Sequence, residues 1–319
     1  KTMTDNAIKI AYYDNTDSTE KRQWWQACLS KRLGPCTLVP LTEEAALSCQ
    51  FALVWYPPKG RLAALDNLKV IISLGQGVDH LISDPDLPEQ AAIVRLVDPD
   101  MSHALSQWVI LAILDHLRDG PYYRKMAEQK RFEGRDQRQT RNLPVAVYGM
   151  GAIGLEIARR LAGLGFDVSG WSRSERQFPE PIKSAHGRTG FENLLASCDI
   201  HVCILPLTPE TTHLFDSKSF AQMKKGAYFI NGGRGKQVVE PDLLAAIRSG
   251  HLAGACLDVF ATEPLPADHP FWEEPAITIW PHVAAQTNPD TAAAQVAAAI
   301  TAAANNQPLS NLVDKKRGY

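Results

Sequence analysis

From Val145 to Ser174 the chain reads as a short apolar run, a glycine cluster Gly149-Met150-Gly151-Ala152-Ile153-Gly154, a stretch of helical periodicity to Gly165, and a second apolar run ending in Trp171-Ser172-Arg173-Ser174. No other segment restricts the fold so closely. A strand, a G-x-G-x-x-G turn and a helix in that order make one βαβ unit carrying a dinucleotide fingerprint. Gly149 permits the tight turn, Gly151 lets the main chain approach a pyrophosphate, and Gly154 lets helix and strand pack closely. Free N–H groups at the start of the helix then hold the phosphates.

The end of the second strand sharpens the expectation. A chain that binds NAD usually carries an acidic residue there, about 20 residues beyond the glycines, to bond the ribose. Here the place is taken by Trp171, Ser172, Arg173 and Ser174, while Asp167 stands at the start of the strand and points away from the ribose. A missing carboxylate removes repulsion against a 2′-phosphate, and Arg173 with two hydroxyls can bond one through charge-assisted hydrogen bonds. The sequence therefore predicts NADPH/NADP as cofactor, with NADH less favoured.

A chain of 319 residues with 45% hydrophobic and 21% charged residues suits two globular domains. The net charge of −2 and the lack of any Lys/Arg-dense window leave no footprint for a nucleic acid. Cys28, Cys36, Cys49, Cys198, Cys203 and Cys256 form no C-x-x-C pair and no metal-like spacing with histidine. Reduced, mostly buried thiols and no metal site are expected. No apolar run approaches the ~18 residues of a membrane span and no signal-peptide h-region opens the chain, so a cytoplasmic location without membrane contact is expected. Met3 reads as the natural start.

Ahead of the fingerprint, strands are expected at residues 7 to 13, 51 to 55, 70 to 74 and 92 to 97, with a helix from Glu20 to Arg32 in which Trp24 and Trp25 read as core or interface anchors. Strands alternating with helical patterns argue a parallel, doubly wound sheet. Ligands in such sheets lie beyond the carboxyl ends of strands. Trp55-Tyr56 and Gly75-Gln76-Gly77 occupy two such ends, and the glycines expose N–H groups suited to a small carboxylate. A long amphipathic helix is expected from Met101 to His116, and the basic stretch from Tyr122 to Arg141 reads as a solvated helix and arm.

After the fingerprint, strands are expected to end at Leu205-Pro206, at Asn231-Gly232-Gly233-Arg234, at Asp258 and at Pro281-His282, all on one edge of one sheet. Three charged or titratable residues fall on the loops after these strands, Arg234, Glu263 and His282. Arg234 can grip carboxylate and carbonyl oxygens in its planar fork. His282 is the natural proton donor, and Glu263, bonded to its other ring nitrogen, favours the imidazolium. The alanine-rich stretch from Thr291 to Asn305 is expected to be a helix that packs back on the first domain.

Taken in order, Gly75-Gln76-Gly77-Val78-Asp79, the glycine fingerprint, Gly232-Gly233-Arg234-Gly235, Asp258 to Glu263 and Pro281-His282-Val283-Ala284 closely resemble the D-isomer-specific 2-hydroxyacid dehydrogenases. Trp55-Tyr56-Pro57-Pro58, Trp171-Ser172-Arg173-Ser174 and the closing Val313 to Tyr319 look most like the glyoxylate/hydroxypyruvate reductase A branch. The resemblance implies an α/β fold of two doubly wound parallel-sheet domains with the active site in the cleft between them. One is a discontinuous, flavodoxin-like substrate domain, residues 1–100 and 288–319; the other is a Rossmann NADP-binding domain, residues 101–287. It implies reduction of glyoxylate or hydroxypyruvate to glycolate or D-glycerate by NADPH, with Arg234, Glu263 and His282 as the catalytic set. Trp55, Gly75, Gln76, Gly77 and Arg234 would bind substrate. Asp258 would bond the nicotinamide carboxamide, Leu205 and Pro206 would line the adenosine side and Gly232 the nicotinamide side, with His282 and Ala284 also at the cofactor. A homodimer through the Rossmann domain is implied. The rival readings are a reductase of the same family for a larger, phenylpyruvate-type acid, and a nucleotide-sensing corepressor.

Overall fold

Every strand runs parallel to its neighbours, so each sheet must be covered on both faces, and the chain meets this with helices on either side of two separate sheets. The computed structural model describes residues 7–16 and 18–318; Met3 lies outside them. The chain divides into two compact units, Lys1–Met101 with Gln286–Tyr319, and Ser102–Ala285.

The first unit begins with β1 (Ile8–Tyr13), α1 (Thr19–Leu33), β2 (Cys36–Pro40), β3 (Phe51–Val54), β4 (Val70–Ser73), α2 (Asp79–Ile82) and β5 (Ala92–Val94). The Ser18 side chain accepts the Lys21 N–H to start α1, and Gly34 at φ 77° ends it. Adjacent positions on a helix face different ways, so Trp25 is core while Trp24 is exposed. The strand order is β2-β1-β3-β4-β5, the flavodoxin-like arrangement. β3 and β4 are buried along their whole length, as strands covered on both faces must be.

The second unit holds α3 (Pro99–Leu117, from its fourth residue on), α4 (Gly120–Glu128), β6 (Pro144–Tyr148), α5 (Ala152–Gly163), β7 (Asp167–Ser172), β8 (Lys183–His186), α6 (Gly187–Ser197), β9 (Ile200–Cys203), α7 (Ser217–Gln222), β10 (Ala227–Asn231), α8 (Glu240–Arg248), β11 (Leu252–Leu257) and β12 (Ile277–Ile279). Its order, β12-β11-β10-β9-β6-β7-β8, is that of a Rossmann sheet with a seventh strand. The order reverses between β6 and β9, and the glycine turn leaves the sheet at that switch point. Helix α9 (Pro289–Ala304) returns to the first unit and packs its alanine face on α1.

Two elements carry no clear apolar signal. β8 is an edge strand whose residues are mostly exposed, so no buried face marks it in the sequence. β2 is likewise a short edge strand. The basic stretch after α3 becomes α4 and an irregular arm. Its cations are taken up in pairs, Arg124 with Asp115 at 2.8 Å, Arg131 with Glu133 at 2.6 Å and Arg138 with Asp199 at 2.7 Å, as a solvated surface would have it. All six cysteines are buried and unpaired.

Candidate active site

The glycine turn distinguishes what the fold needs from what a ligand needs. Gly149 adopts φ +102°, and a Cβ there would lie 2.5 Å from the Ile204 carbonyl oxygen. A Cβ at Gly154 would collide with the Gly149 carbonyl. These two glycines are demanded by packing. Gly151, at φ −79°, is not: a Cβ there meets nothing within 4 Å. It is the N-cap of α5 and brings no side chain to the first N–H groups of the helix, and the space beside it is open. The arrangement fits a bound pyrophosphate, whose oxygens these donors can satisfy.

Around this turn the expected cofactor residues fall into two groups. Met150 turns inward, its thioether packed over Gly170, and its carbonyl accepts from Arg176 Nη1 at 3.2 Å. Trp171 is core: its ring packs on Tyr148 and Phe191, its Nε1 donates to the Gly187 carbonyl at 2.9 Å, and its own carbonyl accepts the Gly149 N–H at 3.1 Å. It supports the turn from beneath, and its indole is not a surface for a ligand. Arg173 and Ser174 are exposed beyond it, and the Ser172 hydroxyl donates to the Ser174 carbonyl at 2.8 Å. Asp167 opens β7 at the far end and pairs with Lys183 at 2.7 Å. Arg176 and Glu210 join this rim without a sequence motif to announce them. The Glu210 carboxyl is lowered by its own N–H and the Thr208 hydroxyl, and further by the charge of Arg173.

The adjacent strands β9 to β12 deliver the remaining residues from their carboxyl ends. Leu205 is buried after β9 with Pro206 exposed beside it; Gly232 follows β10, where a Cβ would press on Trp108 at 3.1 Å. Arg234 follows in extended conformation, its Nη1 donating to the Gly233 carbonyl at 2.9 Å. A Cβ at Gly235 would collide with the Phe260 carbonyl, and this close approach lays the Arg234 turn against the loop that carries Glu263. His282 sits after β12 in the left-handed region, φ +57°, and its Nδ1 lies 2.7 Å from Glu263 Oε2. Glu263 Oε1 accepts the Phe260 N–H at 2.9 Å, so both carboxylate oxygens are committed. Burial opposes its ionisation, but the hydrogen bond and charge of His282, the Phe260 N–H and the charge of Arg234 outweigh it and hold the carboxyl below its ordinary range. A carboxylate on Nδ1 leaves Nε2 as the working nitrogen of the ring.

Asp258, buried after β11, accepts the N–H groups of Val283 at 2.8 Å and Ala284 at 3.1 Å. It thereby braces the two residues that follow His282. Burial pushes its carboxyl up to about 6, against the pull of these donors and of His282. Two polar residues beside Arg234 escape the motif-based reading, Asn231 and Gln237, both fully buried and bonded to the Arg234 main chain. Gln237 stands three residues after Arg234, the spacing of a capping box, which is the signal that could have revealed it.

In the first unit, Trp55 lies so close over the loop after β4 that a Cβ at Gly75 would be 2.7 Å from its ring. Tyr56, at φ +48°, stacks on His80 with ring centroids 4.6 Å apart, and His80 meets the Trp55 edge at the same distance. The Ser73 hydroxyl donates to the Gly77 carbonyl at 3.0 Å and fixes the loop. Among the described residues Gln76 Nε2 is buried without an acceptor, and such a donor costs free energy unless something accepts its hydrogen bond.

Residues 110–284 match the family described as D-isomer specific 2-hydroxyacid dehydrogenase, NAD binding domain. A protein of Serratia proteamaculans called glyoxylate/hydroxypyruvate reductase A is 36% identical over 98% of this chain and its own full length. The crystal structure of a D-isomer specific 2-hydroxyacid dehydrogenase from Xanthobacter autotrophicus Py2 in complex with NADPH and MES is similar with a TM-score of 0.91 and 36% identity, covering 98% of this chain and 100% of that one. The NADPH-dependent glyoxylate/hydroxypyruvate reductase of Sinorhizobium meliloti, in complex with NADP and sulfate, gives 0.89 at 32% identity over 98% of this chain and 100% of its own. With the fingerprint at the switch point and Arg234, Glu263 and His282 on the loops after three consecutive strands, the chain belongs to the D-isomer specific 2-hydroxyacid dehydrogenase family.

Proposed function

We propose that the protein reduces a small 2-keto acid, glyoxylate or hydroxypyruvate, to glycolate or D-glycerate at the expense of NADPH. The observation that carries this reading is the 2.7 Å bond between His282 and Glu263, on loops neighbouring that of Arg234. The names and bound cofactors of the Serratia, Xanthobacter and Sinorhizobium relatives support the same substrate class and the phosphorylated cofactor.

The reaction consumes a keto acid, a hydride and a proton and yields the hydroxy acid. NADPH, when bound, supplies the hydride. Gly149 to Ile153 hold its pyrophosphate, Ser172, Arg173 and Ser174 its 2′-phosphate, and Leu205, Pro206, Gly232, Asp258 and Ala284 flank the rest. Arg234 takes the substrate carboxylate and carbonyl oxygens in its fork and polarises the C=O bond. The N–H groups of Gln76 and Gly77 and the Gln76 amide bind the carboxylate, with Gly75 and Trp55 shaping the same loop. His282 delivers its Nε2 proton to the carbonyl oxygen as C2 is reduced, and Glu263 keeps the ring oriented and stabilises its charged form before transfer. The crowding of Trp55, Tyr56 and His80 favours two- and three-carbon acids over a phenylpyruvate-type substrate.

Loss of NADPH absorbance with a panel of glyoxylate, hydroxypyruvate, pyruvate and phenylpyruvate tests the reading. Highest kcat/KM on the first two is expected. No turnover of any 2-keto acid would return the protein to the corepressor class, and a preference for phenylpyruvate would refute the small pocket. Among the described residues no helix is long and apolar enough to cross a membrane. A cytoplasmic homodimer is part of the proposal, joined through the second unit. There Leu111 and Leu114 of α3 and the wholly exposed Phe132 of the arm offer apolar surface. A monomer in light scattering would refute the dimer.

A further inference from the structure

Gln237 has no part in the chemistry above, yet its amide is fully buried and every one of its hydrogen-bonding positions is used. Oε1 accepts the Arg234 N–H at 2.9 Å and the Cys203 thiol at 3.2 Å, and Nε2 donates to the carbonyls of Leu205 at 2.7 Å and Pro206 at 3.1 Å. The four partners fix the amide's orientation, since a flip would set N–H against N–H and oxygen against two carbonyls. A Cβ at Gly233 would lie 2.5 Å from Oε1, so only glycine lets the β10 loop come this near. Asn231 completes the clamp: its Nδ2 donates to the Arg234 carbonyl and its Oδ1 accepts the Gly233 N–H, both at 3.0 Å. The main chain of Arg234 is thus held at its N–H and at its carbonyl, and the direction in which its side chain leaves is set.

We propose that Gln237 is a positioning residue that ties the Arg234 main chain to the Leu205-Pro206 loop, so that the substrate-binding guanidinium and the cofactor-side loop keep one spacing. The proposal rests on the reading of Arg234 as substrate anchor and of Leu205-Pro206 as cofactor wall. Core volume alone would be filled by an apolar side chain, with no polar group to desolvate. An amide with four partners is rigid in a way that apolar packing is not. Displacing a binding group by about 1 Å costs on the order of 100-fold in rate, so small errors in this spacing have large effects.

The test combines Gln237→Met, close to the natural volume, with Arg234→Ala and the double variant, assayed with glyoxylate and by fluorescence titration of NADPH. Gln237→Met is expected to lower kcat/KM for glyoxylate by about 10- to 100-fold, while NADPH still binds. In the Arg234→Ala background the same change should cost less than about threefold, because the group it positions is gone. Gln237→Glu supplies a second readout. Its neutral carboxyl can still donate to one carbonyl, but once ionised it faces two carbonyl oxygens, so activity should fall as pH rises where the parent's does not. Equal penalties in both backgrounds, unchanged kinetics, or loss of NADPH binding and fold in both Gln237 variants would overturn the positioning role and leave the Arg234 reading standing. Wild-type glyoxylate kinetics in Arg234→Ala would overturn both.

Discussion

Gly151→Ala separates the demands of the fold from those of the cofactor at a single methyl group. The new Cβ meets nothing within 4 Å, and φ −79° suits alanine. Alanine is a poorer N-cap than glycine by about 0.5–1 kcal/mol. Against this, it loses less chain entropy on folding, worth about 0.4–1 kcal/mol. The unliganded protein should therefore keep its stability to within about 0.5 kcal/mol. Binding should suffer, because the methyl occupies the approach of a phosphate to the α5 N–H groups. Loss of one charge-assisted bond costs about 1.5–3 kcal/mol, on the order of 10- to 150-fold in Kd for NADPH. Gly149→Ala is the control. Its φ of +102° and the 2.5 Å approach to the Ile204 carbonyl add about 1–2 kcal/mol of backbone strain and about 1–3 kcal/mol of overpacking, so this variant should melt several degrees lower. Thermal melts without ligand and NADPH fluorescence titrations read the two effects separately. Unchanged NADPH affinity in Gly151→Ala, or a melting point as low as that of Gly149→Ala, refutes the assignment of the turn.

Three further outcomes follow from the same geometry. His282→Ala should lower kcat by about 10² to 10⁴, the usual worth of a general acid, with NADPH affinity nearly unchanged; turnover near the parent's would exclude His282 as donor. Arg173→Ala should raise KM for NADPH by about 10- to 100-fold, the loss of a charge-assisted contact to a phosphate, and leave NADH kinetics as they were; equal effects on both cofactors would refute a 2′-phosphate contact. Asp258, raised by burial to about 6 in the folded protein, lies above its unfolded value near 4, so the folded state holds a proton that the unfolded chain has released. Stability then falls as pH rises through that window, by up to about 3 kcal/mol. Asp258→Asn lacks this loss, so in urea melts the wild-type advantage over the variant should shrink between pH 4 and 7; a constant gap would show that the carboxyl is not raised.

Much of this protein can be read along the chain because its signals are local. A glycine turn between an apolar run and a helix needs only neighbouring residues to be recognised, and the strand ends at Arg234, Asp258 and His282 follow from where each apolar run stops. The edge strand at Lys183–His186 is silent because it buries too little to impose a pattern, and Cys36–Pro40, though it buries Cys36, Leu38 and Val39, is too short for a period to stand out. Tertiary structure decided what local order cannot express. It turned Trp171 inward beneath the glycine turn, since the space over β7 had to be filled, and left Arg173 outside. It gave Asp258 the N–H groups of residues 25 and 26 positions away, and it brought Gln237 between two loops whose distance no spacing in the sequence records. Motif residues are legible where chemistry restricts the residue type. The residues that hold them in place are defined by distances between strands, and those exist only once the sheet has formed.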